Sequence, residues 1–508
     1  MTDPSSVHID LLLGELKEVL RLEPNNVTAL CRIGGKLAGA GQAREARKCY
    51  RGAVDALRRH ARAGDAHHAL YCEELIYAAF VKTVEDEEHY YRCFADWKDD
   101  LATLGRRFHD PDALSSEGSD QIAFFLHTGA ILGHTEVLLK LLESRPRSGG
   151  HRVEPRVYIL NLYEPVFMAR CRAAGIEVVS ALDALGPGST WDARFIWLRQ
   201  CFKEDRVGVC VWVSVPTLAA FALSMRLAPV QIFWALRFHP ISGPDIDGYI
   251  TWGDKSEKTR RYGNREWEVV PVPFAIDDSP PDPGKIKALR RRFPESVLLG
   301  TLAREEKINS APFLQAVADI LLAHPQAGFL WTGRSEHPGI AGFWRDAGVA
   351  ERCHFVGWVD TRLYAAALDI FLETFPFGSG VTSYQAFAAG VPLLSYLHPQ
   401  TIFGTHYWHS LAAPGASGAV PAQPHLSAPD KHPILCARDT VEYVALAGRL
   451  ISDTAWRTEV GARGRAFFEE ELRSNEVYAI RFFETISRIA AVKLGLPIQE
   501  NPGSAPAA

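Results

Sequence analysis

Short apolar runs alternate with segments of helical periodicity over most of the chain after residue 155. Runs such as 207–215 and 297–301 are the length of strands that are buried on both faces. Between them, apolar residues recur three and four positions apart, which indicates helices. Strands alternating with helices at this spacing predict parallel α/β sheets.

The pattern predicts two such α/β units. The first has strands at 157–160, 176–179, 207–215, 230–236, 247–251 and 267–270, with helices at 165–174, 191–202 and 217–226. The second has strands at 297–301, 327–330, 354–355, 368–372 and 391–395, with helices at 310–323, 338–348, 360–368, 382–389, 439–452 and 455–493. A basic, glycine-rich linker at 145–156 and a proline-rich hinge at 275–285 bound the first unit.

The pattern before residue 145 predicts helices throughout. Within it, 27–54 fits one tetratricopeptide repeat, with a turn at Gly41. Solenoids of this kind usually need at least three repeats, so a helical cap on the next unit is favoured over a peptide-binding superhelix, which stays an alternative. Aromatic residues at 66–145, Phe124 and Phe125 among them, are expected in the core of this helical region. The repeat pattern is carried by Leu30, Ile33, Gly34, Leu37, Ala46, Tyr50 and Ala53.

The predicted fold class is therefore α/β, with two doubly wound Rossmann-like domains behind an all-α cap. The domains are a tetratricopeptide-like helical region at 1–145, a first α/β domain at 151–278, a second at 285–495 and a disordered tail at 496–508. Two doubly wound domains of this kind usually bind a ligand in a cleft at their strand ends.

Composition and charge limit the classes of partner and the compartment that are expected for the protein. The chain of 508 residues has a formal net charge of −5, which gives no electrostatic case for nucleic acid or an anionic membrane. Its nine cysteines form no CxxC pair, which fits a reducing cytoplasm and gives no zinc signature. No apolar run is long enough for a membrane span, and the first residues lack the features of a signal peptide.

The stretch 371–395 joins a strand to a helix through a loop that contains Gly378 and Gly380. In a parallel sheet this loop lies at the carboxyl edge, where ligands bind. Glycines let a ligand approach the backbone, and a helix start offers N–H groups to a phosphate. The alternative is a plain strand-to-helix connection without a ligand.

Cations follow the first strand of the second unit, where Arg304 and Lys307 lie in the segment GTLAREEKIN. Two cations at the carboxyl edge can neutralise a diphosphate, and Thr382 and Ser383 are candidate donors to the same phosphates. The alternative is a solvated helix start in which neighbouring glutamates pair the cations.

In the first unit, His239 follows a predicted strand in a loop of small residues. A histidine there can act as a base or contact a substrate, although a structural role is the alternative. Asp245 and Asp247 have the spacing of a metal-binding DxD pair, but Pro244 and Gly248 favour a turn.

Four segments give the chain from about 205 to 490 a family resemblance: LAPVQIFWALRFHPISGPDIDGYI, the lysine of KIN, FPFG and AGVPLLS. They resemble the family 41 glycosyltransferases, which include O-linked N-acetylglucosamine transferases and bacterial N-glucosyltransferases that modify adhesins. The resemblance implies a GT-B fold and an inverting, metal-independent transfer of glucose or N-acetylglucosamine. It also implies a UDP-sugar donor, a protein or peptide acceptor and no cofactor.

The resemblance also implies roles for single residues. Lys307 would hold the donor diphosphate, and His239 would lie near the sugar and the acceptor. Gln385 stands where the family has an acid, and its neutral amide can still bond a ribose hydroxyl. The rest of the predicted donor site is Arg304, Gly378, Gly380, Thr382 and Ser383, with Val381 at the helix start. The alternatives are a transferase for a polysaccharide or small molecule, and an inactive helical-repeat scaffold.

Overall fold

The structure is a computed structural model, and it divides the chain into two compact units. One comprises 1–134, 146–251 and 481–508, and the other 135–145 and 252–480. The residues described are 14, 17–39, 43–80, 87–114, 121–145, 154–236, 243–252, 258–262, 265–271, 279–375, 378–396, 435–473 and 475–497.

The first unit begins with the predicted helices. They are α1 (Val27–Gly39), α2 (Ala43–Ala63), α3 (Ala66–Phe80) and α4 (Glu87–Arg106). Small residues bring the first two together: Ala46 and Ala53 are buried, and a Cβ at Gly52 would lie 3.3 Å from a Leu30 methyl carbon. The helical pair at 27–54 is thus present, while its Gly41 turn lies outside the described residues.

The prediction of helices up to residue 145 is wrong at one place. Residues Gln121–Leu126 form a strand, β1, with Phe124 and Phe125 fully buried. It pairs in parallel with strands on both sides, so it lies inside the first sheet. The first α/β domain therefore begins before the linker at 145–156, and the helical region is shorter than predicted.

Six strands of the first sheet run parallel in the order β3-β2-β1-β4-β5-β6. This is the order of a doubly wound dinucleotide-binding sheet, whose switch point lies between β1 and β4. After β1 come α5 (Gly133–Glu143), β2 (Arg156–Ile159), α6 (Pro165–Ala173), β3 (Glu177–Ser180), α7 (Ala181–Leu185), α8 (Trp191–Glu204), β4 (Val207–Val213), α9 (Ala219–Ser224), β5 (Val230–Ala235) and β6 (Gly248–Thr251).

The second unit repeats the same topology. Its sheet has six parallel strands in the order β11-β10-β9-β12-β13-β14. Before them in the chain comes an antiparallel hairpin of β7 (Thr259–Tyr262) and β8 (Arg265–Val269), which belongs to the eight-stranded first sheet. The other elements are α10 (Pro283–Arg290), β9 (Val297–Thr301), α11 (Glu305–Ile308), α12 (Ala311–Ala323), β10 (Ala327–Trp331), α13 (Pro338–Asp346), β11 (Cys353–Phe355), α14 (Thr361–Ala367), β12 (Ile370–Leu372), α15 (Val381–Ala388), β13 (Leu393–Tyr396), β14 (Leu435–Ala437), α16 (Thr440–Ser452), α17 (Thr454–Phe467) and α18 (Asn475–Leu494).

Aspartate caps set where helices of the second unit begin. Asp360 accepts the backbone N–H groups of Arg362 and Leu363 ahead of α14. Asp439 accepts that of Glu442 at 2.8 Å, and Asp453 that of Trp456 at 2.9 Å. Each cap satisfies a donor that the first turn leaves without an intrahelical partner.

The last helix belongs partly to each unit. From residue 481 onward, α18 is part of the first unit, where Phe482 packs 4.5 Å from Trp234 and 6.2 Å from Phe124 between ring centroids. Lys493 pairs with the buried Asp247 at 2.8 Å. The second predicted domain thus ends before residue 495. Among the described residues, no helix is long and apolar enough to cross a membrane.

Candidate functional site

The loop after β9 is fixed to the next strand before it reaches the predicted cations. The backbone N–H of Ala303 donates to Thr332 Oγ1 at 2.9 Å, and the Thr332 hydroxyl donates back to Ala303 O at 2.8 Å. Arg304 then starts the four-residue helix α11 and is exposed. Glu305 accepts the backbone N–H of Arg334 at 3.1 Å.

Lys307 joins this loop to the glycine loop after β12. Its Nζ donates to Gly378 O at 2.6 Å and to Ser379 O at 3.1 Å. The half-buried ammonium is therefore held at the carboxyl edge of the second sheet, beside the start of α15. An anion bound there would gain a fixed positive charge with little reorganisation of the protein.

Gly380 gives the glycine loop its shape. Its φ of 81° and ψ of −127° lie in a region that side chains with a Cβ rarely adopt. It directly precedes α15, an eight-residue helix whose first N–H groups face the same edge as the glycine loop. The predicted combination of glycine loop and helix start is thus present.

Thr382 and Ser383 point elsewhere than predicted. The Thr382 hydroxyl donates to Leu302 O at 2.6 Å, which binds α15 to the loop after β9. Ser383 is fully buried, and its hydroxyl donates to Glu373 Oε1 at 3.3 Å. These hydroxyl protons serve protein acceptors, so backbone N–H groups are the donors that the helix start offers to an anion.

Two buried polar atoms at this site lack a partner among the described residues. They are Ser379 Oγ, between the two glycines, and Gln385 Oε1, on the first turns of α15. Buried polar groups are normally hydrogen-bonded, so unpaired atoms here, one of them on the residue whose carbonyl accepts from Lys307, are consistent with a ligand site. Sequence reasoning singled out Gln385 but missed Ser379, whose only signal was its place between two glycines.

Glu373 is a second residue that the sequence analysis missed. It follows β12, is 1% exposed, and accepts from Ser383 beneath the glycine loop. Tyr443 donates to its backbone carbonyl at 3.1 Å, and burial followed by the Glu373 charge raises the pKa of Tyr443 well above its ordinary value. Of FPFG, Phe375 packs against Phe313 and Tyr396, while Pro376 and Phe377 lie outside the described residues.

In the first unit, His239 also lies outside the described residues. The predicted turn is present, at Pro244 and Asp245, and the carboxylates of Asp245 and Asp247 are both engaged with protein groups. Asp245 pairs with Arg106 at 2.8 Å, and Asp247 pairs with Arg226 at 2.7 Å. The metal alternative for this aspartate pair is not supported, because protein cations already neutralise both carboxylates.

A different histidine lies at the carboxyl end of the central strand. His127 follows β1, and its Nε2 makes a short hydrogen bond with Glu74 Oε1 from α3. Its Nδ1 lies 2.9 Å from Thr128 Oγ1, and its ring stacks on Trp191 at 5.8 Å. A glutamate that accepts from Nε2 fixes the tautomer in which Nδ1 can accept a proton.

No protein-family model matches this chain, and no curated protein matches it. Solved structures do match its fold. An O-GlcNAc transferase mutant from Thermobaculum terrenum has a TM-score of 0.57 at 17% identity, over 97% of this chain and 99% of that one. HepE from Anabaena, in complex with UDP and glucose, has a TM-score of 0.52 at 14% identity, over 72% and 99%. A glycosyltransferase from Rickettsia africae scores 0.50 at 11% identity, over 73% and 98%.

These similarities define the class of structure. The chain has the fold of the GT-B glycosyltransferases, with two Rossmann-type sheets and helices ahead of the first. The predicted fold class is confirmed. At these identities the comparisons establish the fold alone. The chemistry of the site must be inferred from the residues that form it.

Proposed function

We propose that this protein is a glycosyltransferase that moves a hexose from a UDP-sugar to a side chain of a protein or peptide. The observation that carries the proposal is the position of Lys307, held 2.6 Å from Gly378 O beside the start of α15. The departing group in such a transfer is UDP, so a fixed cation at the diphosphate stabilises the charge that develops. With Lys307, Arg304 and helix-start N–H groups supplying that charge, we propose an inverting transfer without a metal or cofactor.

The fold comparisons support this donor class. HepE was solved with UDP-glucose as well as with UDP and glucose. The protein acceptor is supported by the O-GlcNAc transferase, because that similarity extends over 97% of this chain and so includes the helices before β1. HepE matches 72% of the chain at a comparable TM-score, which keeps a polysaccharide or small-molecule acceptor as the alternative.

The test of the donor site is thermal unfolding with and without millimolar UDP. A nucleotide at about 100 times its dissociation constant stabilises a protein by roughly 2.7 kcal/mol. We expect UDP to raise the melting temperature of the wild type, and Lys307→Ala to remove the shift and lower transfer roughly 10²–10³-fold. Lys285→Ala, which changes an exposed side chain of α10, is the matched control and should keep both the UDP-induced shift and the rate of transfer.

Absence of a UDP shift in the wild type would favour the inactive scaffold. The neutral Gln385 is the residue that motivates this alternative. A shift that persists in Lys307→Ala would show that the nucleotide binds elsewhere in the chain. A shift that vanishes only in Lys307→Ala would support the glycine loop as the diphosphate site, and a set of UDP-sugars would then identify the hexose.

On the acceptor side we propose that His127 removes the acceptor proton. Glu74 holds its Nε2, so Nδ1 is the basic atom, and an acceptor hydroxyl would replace the Thr128 hydroxyl that lies 2.9 Å from Nδ1. We expect His127→Gln to leave the UDP shift intact and to lower transfer by about 10²–10⁴-fold. Glu74→Gln should keep the UDP shift and lower transfer less than His127→Gln, because it removes the partner that orients the ring but leaves the imidazole in place. Unchanged transfer rates in both variants would assign this pair a structural role.

A further inference from the structure

The corner between α2 and α3 brings two imidazoles and a carboxylate together, and none of the three has a role in the proposed transfer. His60 lies in the last turn of α2, Asp65 directly precedes α3, and His68 lies in the first turn of α3. His60 Nδ1 is 3.0 Å from Asp65 Oδ2, and His68 Nδ1 is 2.8 Å from the same oxygen. One nitrogen or oxygen from each of the three lies within 4.8 Å of the others.

The local fold fixes this arrangement. Gly64, with a φ of +84°, turns the chain between the helices, a conformation that favours glycine. Asp65 then caps α3, because its Oδ1 accepts the backbone N–H of His68 at 3.2 Å. The two histidine rings stack with centroids 5.2 Å apart. The spacing H-x4-D-x2-H across one tight turn therefore aims three side chains at a single point.

We propose that this corner binds a divalent transition-metal ion, with Zn²⁺ as the representative of its class. Imidazole nitrogen and carboxylate oxygen suit zinc and its neighbours in the first row. Ligand atoms of a tetrahedral zinc ion lie roughly 3.3 Å apart at bond lengths near 2.0 Å. The separations of 2.8 and 3.0 Å here are close to that, so small side-chain rotations admit a cation in place of the ring protons that face Asp65. Water would complete the coordination.

The neighbouring His67 is excluded as a ligand through its Nδ1. That atom accepts the backbone N–H of Trp191 at 3.2 Å, at the start of α8. In the part of the chain that the structure describes, no other three His, Cys, Asp or Glu side chains converge as closely. The ligand set is thus His60, Asp65 and His68.

A metal at this corner would have a structural consequence. It would tie the end of α2 to the start of α3, the helix that carries Glu73 and Glu74. Glu73 accepts the backbone N–H of Leu218 ahead of α9, and Glu74 holds His127 after β1. Bound metal would therefore stiffen the helix that contacts the first sheet.

The experiment is metal binding by chelator-treated, full-length protein. Zn²⁺ bound after equilibrium dialysis is measured for the wild type, the double variant His60→Gln/His68→Gln, and the control His337→Gln, a histidine of the second unit. We expect the wild type and the control to bind about one Zn²⁺ per chain more than the double variant. Zn²⁺ should also raise the melting temperature of the wild type and control only.

Equal stoichiometry in all three proteins would overturn the proposal and leave the cluster as a hydrogen-bonded helix corner. If the double variant fails to fold, X-ray absorption of the wild type with one equivalent of Zn²⁺ decides the matter. A zinc coordination shell with two imidazoles supports the proposed site, and a shell with one imidazole or none overturns the proposal. None of these outcomes depends on the proposed transfer reaction, since no sugar donor or acceptor is involved.

Discussion

Among single residues, Gly380 has the most restrictive backbone at the proposed donor site. Its positive φ and extended ψ turn the chain into α15, and any Cβ there is strained. We expect Gly380→Ala to lower the free energy of unfolding by about 1–3 kcal/mol and to weaken UDP binding.

Urea unfolding measures the stability lost in Gly380→Ala, and Gly342→Ala provides the control. Gly342 lies within α13, where the nearest atom to an added Cβ is Arg345 Nη2 at 3.9 Å. Alanine in a helix interior with open space should raise stability by about 0.5–1 kcal/mol. Equal effects of the two substitutions would show that the Gly380 conformation does not matter.

Residue-scale features were predicted where the signal was local. Glycines before a helical pattern, and a lysine just after a strand, placed Lys307 and Gly380 correctly at one sheet edge. The destination of the Thr382 and Ser383 hydroxyls depended on Leu302 and Glu373, which the helical pattern does not connect to them. The pair of Glu74 and His127 is separated by 53 positions and joins two different elements, so no motif marks it.

At the scale of elements, a buried carboxyl links α3 to the helix α9. Glu73 accepts from Trp97 Nε1 at 3.0 Å and from the backbone N–H of Leu218 at 2.8 Å. Leu218 has a φ of 66°, so this bond supports a strained helix start. Burial raises the pKa of Glu73 from 4.5 to about 7, although both hydrogen bonds act to lower it.

The raised pKa predicts a pH dependence of stability. Between pH 4.5 and about 7 the folded chain keeps a proton that the unfolded chain has released, so stability falls as pH rises through that window. The loss from this group amounts to about 3 kcal/mol in total and levels off above pH 7. Glu73→Gln lacks this titration, so the stability difference between wild type and variant should shrink from pH 5 to pH 7.5.

Denaturant unfolding at a series of pH values tests the predicted pH dependence. The contributions of other titrating groups cancel in the stability difference between wild type and Glu73→Gln. Glu470→Gln, an exposed side chain, is the control and should follow the wild-type pH profile. A constant difference between wild type and Glu73→Gln at all pH values would mean that Glu73 ionises normally in the fold.

Element types were predicted well where buried apolar runs were bounded by turn residues. The strand β1 was missed because QIAFFL lies in a region of aromatic-rich helical periodicity, and a short apolar run fits either state. Parallel pairing with β2 and β4 makes this segment a strand, and both partners lie far from it in the sequence. The three-residue strand β14 is too short to stand out from the loop before it.

At the scale of the whole molecule, the last helix completes the core of the first unit. Phe482 packs against Trp234 and Phe124, both on strands of that unit. We expect Phe482→Ala to destabilise the protein by about 3–5 kcal/mol, the usual cost of removing a buried aromatic ring. Val492→Ala, 67% exposed on the same helix, should change stability by less than about 0.5 kcal/mol.

Calorimetry with and without UDP adds a second measurement. Because the proposed nucleotide site lies in the second unit, UDP should stabilise the unit that contains Lys307, while Phe482→Ala acts on the other. If the two changes shift one common transition, the units unfold together. If Phe482→Ala has no effect on stability, the packing of α18 against the first sheet is not important.

The assignment of residues 481–497 to the first unit has a consequence for cutting the chain into pieces. A fragment that stops at residue 251 would leave Trp234 without the Phe482 ring that packs on it, and Asp247 with Arg226 but without its second cation, Lys493. Such a fragment should aggregate alone and be rescued by a separate peptide spanning the second half of α18. The first unit is thus a candidate for complementation by a detached helix, because the helices before β1 and the second half of α18 are parts of one folding unit.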